Sequence, residues 1–237
     1  MRFSRGLNVR PSMGLWLLPA CAFALGCGDE ESSQLLQLKN AAAAVSAEAG
    51  APPPVDGLFP HVIQHPQADA ATGKSDKPVE LRLTGTALRK KFGLSFYRIA
   101  SYCDCAQKPK NADELVAVDC AKQLDLVMVR KISPSILERS FSEALSANDP
   151  GKKFEPECKQ LLTHMLSVPM NEGQRVTLRN HPGRGMSCQV GDGEVRHVDS
   201  VEFARIVWSI YMGPKGVCED LRTGLVTRLP EGTTTTR

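Results

Sequence analysis

The sequence lacks most of the local patterns that announce a reaction. It contains no Gly-x-Ser-x-Gly elbow, no glycine-rich phosphate loop and no His-Glu-x-x-His pair. That removes the usual serine-hydrolase, nucleotide-binding and zinc-peptidase readings. No Cys-x-x-Cys knuckle is present, and His164, His181 and His197 have no ligand-type spacing to the cysteines. A metal site is therefore disfavoured, and no metal or cofactor is expected. Regular strand–helix–strand alternation is missing too, which argues against a doubly wound parallel sheet. Glu155 and Glu157 flank Pro156 at a helix start, where carboxylates suit the helix dipole without any acid–base role. No residue is assigned a catalytic function.

Acidic residues are absent from the first 27 positions, which carry Arg2, Arg5 and Arg10. A mostly apolar run from Met13 to Gly26 follows, too short for a bilayer span, which takes about 20 apolar residues. Basic start, short apolar run and small residues together read as a secretion signal. The segment Ala24-Leu25-Gly26-Cys27 resembles the lipobox of bacterial lipoproteins, in which a small residue precedes a cysteine that is diacylated. It departs from that pattern at Ala24, where leucine is preferred. Cys21, after Leu18-Pro19-Ala20, is an alternative with proline beside the scissile bond. The expectation is residues 1–27 as signal and lipobox, lipidation at Cys27, and an exported chain lipid-anchored to a membrane of the cell envelope, on its periplasmic or outer-membrane face. Two acyl chains make such an anchor stable.

Without the signal the charge changes. The whole chain is +3, with 29 basic and 26 acidic side chains; three of the basic and none of the acidic ones precede Cys27, leaving 26 of each. No net positive field remains to attract nucleic acid, so no nucleic-acid partner is expected. Beyond Cys27 lie Cys103, Cys105, Cys120, Cys158, Cys188 and Cys218. In an exported domain six cysteines permit disulfides, in any of fifteen pairings. Cys103 and Cys105 stand two apart on one expected strand, so each pairs elsewhere.

Residues 28–78 read as a flexible tether. They hold an alanine-rich patch and Pro/Gly-rich stretches with few large apolar side chains to offset ordering. Such a tether reaches on the order of 40 Å, and His61 and His65 within it read as solvated. From Val79 the pattern changes to alternation, with a strand ending at Gly85, a second over Phe92–Asp104 and a third over Leu124–Lys131. Ser133-Pro134 starts a helix and Asn148-Asp149-Pro150-Gly151 stops it. A helix over Glu155–Ser167, strands at Gln174–Asn180, Gly185–Val190 and Glu194–Val198, and helices at Val201–Met212 and Val217–Leu225 complete residues 79–228, with 229–237 a polar, disordered tail. Hairpins clustered with helix pairs give an α+β fold, a single domain with an antiparallel β-sheet packed against a layer of helices.

Three segments then suggest a family. Gly85-Thr86-Ala87-Leu88-Arg89-Lys90-Lys91-Phe92 runs into Phe96-Tyr97-Arg98-Ile99-Ala100-Ser101-Tyr102; the strand Leu124–Lys131 leads into a helix; and Phe203–Val226 contains Trp208-Ser209-Ile210-Tyr211-Met212-Gly213. In this order they resemble the chalcone isomerase-like family over Val79 to Val226. The resemblance implies an apolar cleft between sheet and helices. In the plant isomerases an arginine of the first segment helps hold an anionic oxygen and a threonine on the next strand orders the reacting group. In the fatty-acid-binding branch an arginine and a tyrosine at these places grip a carboxylate. Arg89 matches the arginine, and Tyr97 stands where the threonine would be, which is closer to the binding branch. The threonine or serine near the isomerases' closing helix falls around Ser209 or Ile210. Trp208 and Tyr211 read as core or cleft wall.

The chemistry agrees with that implication, because a guanidinium fork and a phenol together suit a carboxylate. On residue type alone, however, Arg89 also fits a solvated turn residue and Tyr97 a core residue. Three functions are therefore expected in order: binding of a fatty acid or similar apolar carboxylate at Arg89 and Tyr97; ring closure by a chalcone isomerase-type intramolecular lyase; and a structural envelope lipoprotein using only the fold.

Overall fold

Extended chain from Val79 to Lys91 (β2) and back from Leu94 to Asp104 (β3) makes the long hairpin around which the domain is built. The computed structural model describes residues 57–66, 77–104, 106 and 108–230, all within the unit Glu48–Arg237. Cys21 and Cys27 with the whole signal, the tether up to residue 56 and over 67–76, Cys105, and the tail from residue 231 lie outside the described residues.

The other strands are β1 (Val62–His65), β4 (Lys122–Met128), β5 (Arg175–His181), β6 (Gly185–Val190) and β7 (Val195–Val198). All seven form one antiparallel sheet in sequence order, β1 to β7. The helices are α1 (Ala112–Ala117), α2 (Pro134–Asn148), α3 (Glu155–Leu166), α4 (Val201–Met212) and α5 (Glu219–Gly224). The expected α+β architecture, an antiparallel sheet under helices, is the one observed.

Alternation along each strand sends side chains to two faces. The helix side takes Ile99, Leu124, Leu126, Val176, Leu178, Cys188 and Val198, packed with Phe141, Leu161, Phe203, Val207 and Trp208 in the main core. Helix α4 supplies most of the helical side, burying Phe203, Ala204, Val207, Trp208, Ile210, Tyr211 and Met212. Its start is fixed by Ser200, whose Oγ accepts from the Phe203 N–H at 3.2 Å, and α2 begins in the same way, with Ser133 accepting from Ile136 and Pro134 in the first turn.

The opposite face of the sheet is covered by residues assigned above to the tether, and that assignment is corrected here. Gly57–Pro66 belongs to the domain: β1 pairs with β2 from Val62↔Arg82 to His65↔Val79. Phe59 is 1% exposed and packs with Leu81, Leu83, Ala100, Tyr102, Ala121 and Val127. The reason is apolar area. Without this segment those side chains would face water, at roughly 25 cal/mol for each Å² left uncovered. His65 is likewise corrected from solvated to fully buried. His61 is exposed, its Nδ1 2.7 Å from Arg228 Nη1.

Two further boundaries move. The strand expected to end at Gly85 continues to Lys91, with a bulge between Leu83 and Gly85. Glycine is required there for a different reason, since a Cβ would lie 2.2 Å from the Gly224 carbonyl oxygen at the end of α5. The tail gives up Leu229, which packs on the main core. Helix α1 was not foreseen. The described cysteines Cys103, Cys120, Cys158, Cys188 and Cys218 are free thiols, so none of the expected disulfides is closed in this structure, although the Cys103 and Cys120 sulfurs touch at 3.4 Å.

Candidate functional site

The β2–β3 hairpin closes on two residues, Phe92 (φ +53°) and Gly93 (φ +77°). Positive φ at both centres is the tight turn whose twist suits paired strands. It pairs Lys91 with Leu94 and Lys90 with Ser95, and a one-residue register shift between Lys90 and Arg89 then sets Arg89 directly opposite Tyr97. Residues so paired project from the same face of the sheet, here the helix side, where Ala87 and Ile99 enter the main core two residues further along. The two residues singled out in the sequence are therefore neighbours.

Arg89 is half-buried. Among the described residues no carboxylate lies within ion-pairing distance of its guanidinium. Tyr97 packs against the main core, flanked in register by Met128 of β4. Burial pushes its phenol well above the ordinary range, while the Arg89 charge pulls the other way. Tyr211 of α4 lies near enough to Tyr97 to feel it electrostatically, and burial raises its phenol too. Both phenols therefore keep their protons at neutral pH and can donate. A guanidinium with no carboxylate partner among the described residues, beside neutral hydroxyl donors, is a cationic, hydrogen-bonding corner at the edge of an apolar core. It suits an anion with an apolar body.

Tyr211, read from sequence only as core or wall, thus joins the pair. Trp208 does not: it is fully buried, with its ring under the Lys122 ammonium, 5.5 Å from Nζ to centroid. Ser209, near the isomerases' hydroxyl position, donates instead to its own helix, to the Arg205 carbonyl at 2.9 Å. Elsewhere a groove of about 650 Å³ runs between α3 and the β6–β7 end of the sheet, lined by Lys159, Thr163, His164, Val190 and Arg196 among others. Neither Arg89 nor Tyr97 reaches it. Among the described residues no group of three or more His, Cys, Asp or Glu is placed to hold a metal ion.

A family model described as chalcone isomerase-like matches residues 67–227. The chain belongs to the chalcone isomerase-like family. Among solved structures, the fatty-acid binding protein of Arabidopsis thaliana superposes with a TM-score of 0.52 at 17% sequence identity, over 67% of this chain and 94% of that one. At that identity the likeness is one of fold. No curated protein sequence matches. The chalcone isomerase-like match starts within the former tether, one residue after the β1 segment ends at Pro66, so β1 and Phe59 extend this chain's domain beyond the matched region.

A set of side chains on the other face escaped the sequence reading. Asp125 is buried and accepts from Arg175 Nη1, Thr177 Oγ1 and Gln123 Nε2, each at 2.9 Å. Arg179 donates to Gln123 and Gln189. The signal was available in the Gln123-Leu124-Asp125-Leu126 alternation, which marks a strand with one polar face. Burial of that polar face depends on its cover, Gly57–Pro66, whose composition reads as tether.

Proposed function

We propose that this chalcone isomerase-like domain binds a fatty acid or similar apolar carboxylate, head-first, at Arg89 and Tyr97. The observation that carries the reading is the half-buried Arg89 guanidinium, set opposite Tyr97 and without an acidic partner among the described residues. A buried or half-buried cation is normally paired, and a carboxylate would pair this one through two parallel hydrogen bonds. Tyr97 and Tyr211 supply hydroxyl donors, and the apolar core behind Tyr97, which includes the buried Met128, forms the apolar side of the site. The fatty-acid binding of the Arabidopsis neighbour supports this choice of ligand. Tyr97 at the isomerases' threonine position leaves the ring-closing reading without support of its own.

The test uses protein purified with Cys27 replaced by serine. Organic extracts analysed by mass spectrometry are expected to contain fatty acids. Binding of a fluorescent fatty acid is expected to weaken by about 10- to 100-fold in Arg89→Ala, the loss of a charge-assisted pair, and by less in Arg89→Lys, which keeps charge but not the fork. Empty extracts together with an unchanged Kd in Arg89→Ala would overturn the reading.

The same proposal places the domain beside its ligand source, a membrane, through a lipid on Cys27. Radiolabelled palmitate fed to expressing bacteria is expected to label the chain and to leave Cys27→Ser unlabelled. Label retained in that variant and lost in Cys21→Ser would move the anchor to Cys21.

A further inference from the structure

We propose that Cys103 and Cys120 form an intramolecular disulfide. Cys103 lies on β3, where its register partner is Lys122; Cys120 stands two residues before Lys122, at the entrance to β4. Alternation puts both side chains on the helix side of the sheet. Their sulfurs are 3.4 Å apart and 17 positions apart in sequence, and the residues are 3% and 2% exposed. The backbones are already tied at this point, the Asp104 N–H donating to the Ala121 carbonyl at 3.0 Å. A disulfide requires sulfurs at about 2.05 Å, so the 3.4 Å contact has to shorten by about 1.4 Å.

Chemistry distinguishes this pair from the other buried cysteines described, Cys158 and Cys188. The Cys103 hydrogen bond favours the thiolate on Cys120, and the Lys122 ammonium beside it acts in the same direction; Cys103 in turn holds its proton. Burial raises the thiols of Cys158 and Cys188 to about 11 and about 12, so they stay protonated and inert. Oxidation by a small disulfide, RSSR, then runs in two exchanges. The Cys120 thiolate attacks RSSR, forming Cys120–S–SR and releasing RS⁻. Cys103 then loses its proton and its thiolate attacks the Cys120 sulfur, expelling a second RS⁻. Two protein thiols lose two electrons and two protons, and RSSR is reduced to two RSH. Both sulfurs are buried, so the first attack needs a transient opening of the segment between them, which contains α1, a six-residue helix.

The bond would close that segment over the main core, independently of any ligand at Arg89. The full chain, purified in reductant and then equilibrated with oxidised glutathione, is alkylated under denaturing conditions, digested and analysed by mass spectrometry. The expected product is a linked peptide pair containing Cys103 and Cys120, with Cys158, Cys188 and Cys218 alkylated and the thermal midpoint raised by about 5 °C or more over the reduced chain. Cys103→Ser is expected to stop at the first exchange and retain one glutathione on Cys120. Full alkylation of Cys103 and Cys120 after oxidation would overturn the proposal. So would linkage of either one to Cys105, or a Cys103→Ser variant with no adduct.

Discussion

Replacing Lys122 by methionine is expected to lower the stability of the domain by about 3 kcal/mol. Lys122 is 2% exposed, and its ammonium donates to the carbonyls of Leu115, Val116 and Val118 at 2.8, 3.1 and 2.7 Å. Leu115 and Val116 lie in the last turn of α1 and Val118 directly follows it, where carbonyls have no partner within the helix. A helix of six residues does not persist alone, so its end is held by a side chain from the strand that follows. Two effects compete. Burial lowers the Lys122 pKa from 10.5 to about 8, a penalty on the charge of roughly 3 kcal/mol. Three hydrogen bonds from a charged donor are worth about 1.5–3 kcal/mol each, and they win. Methionine keeps an unbranched chain of similar volume but loses the ammonium over Trp208 and orphans three buried carbonyls. Urea denaturation at pH 7 measures the loss, and a difference under about 1 kcal/mol would contradict this account. The pH dependence follows in sign. Between pH 8 and 10.5 the unfolded lysine binds more protons than the folded one, so its contribution to stability rises with pH. The gap between wild type and the methionine variant should therefore widen across that window.

How much of this was legible in the sequence divides by range of interaction. Helices α2 and α4 were readable because Ser133-Pro134 and Ser200 carry local capping chemistry that the structure uses as written. The Arg89–Tyr97 pair was reachable from its resemblance, but its pairing depends on the register shift between Lys90 and Arg89, which nothing in the local sequence marks. Gly85 was misjudged because glycine normally ends a strand, whereas here it admits the backbone of Gly224 and Leu225, some 140 residues away in the chain. Nothing near Gly85 announces that crossing.

Strand β1 failed for the same physical reason. Within Gly57–Pro66 only Leu58, Phe59, Val62 and Ile63 are large and apolar, too few for a strand by composition. They order because Leu81, Leu83 and Tyr102 already form an uncovered apolar surface on the sheet. Lys122 is the converse case. A lysine at the start of a strand reads as solvated, and its burial depends on α1, whose existence depends in turn on Lys122. Such mutual dependence is invisible residue by residue.

The β1 segment also makes stability depend on acid, with an expected loss of about 3 kcal/mol between pH 7 and pH 5. His65 on β1 is fully buried, with neither ring nitrogen in a well-formed hydrogen bond. Its ring centroid lies 5.2 Å from that of His181, which lies 5.6 Å from that of His197. His181 Nε2 is held to Ser187 Oγ at 2.8 Å. The charges that bear on these two rings are positive: Arg179 on His65, and on His181 first His65 and His197, then Arg184 and Arg179. Burial first, then this positive field, lowers both His65 and His181 from 6.5 to about 4. In the window between those values the unfolded chain binds protons that the folded chain refuses. Stability is therefore intact above pH 6.5 and falls as pH drops towards 4. Each shift corresponds to roughly 3 kcal/mol at full development. At pH 5 each is only partly expressed, and His65 and His181 share part of theirs through mutual repulsion, which sets the total at about 3 kcal/mol. Urea denaturation at pH 7, 6 and 5 is expected to show this slope, and His65→Leu to show about half of it, since one proton site and its repulsion of His181 are removed together. A wild-type profile flat from pH 7 to 5, or a leucine variant as acid-sensitive as the wild type, would show that the histidines do not govern how β1 stays on the sheet.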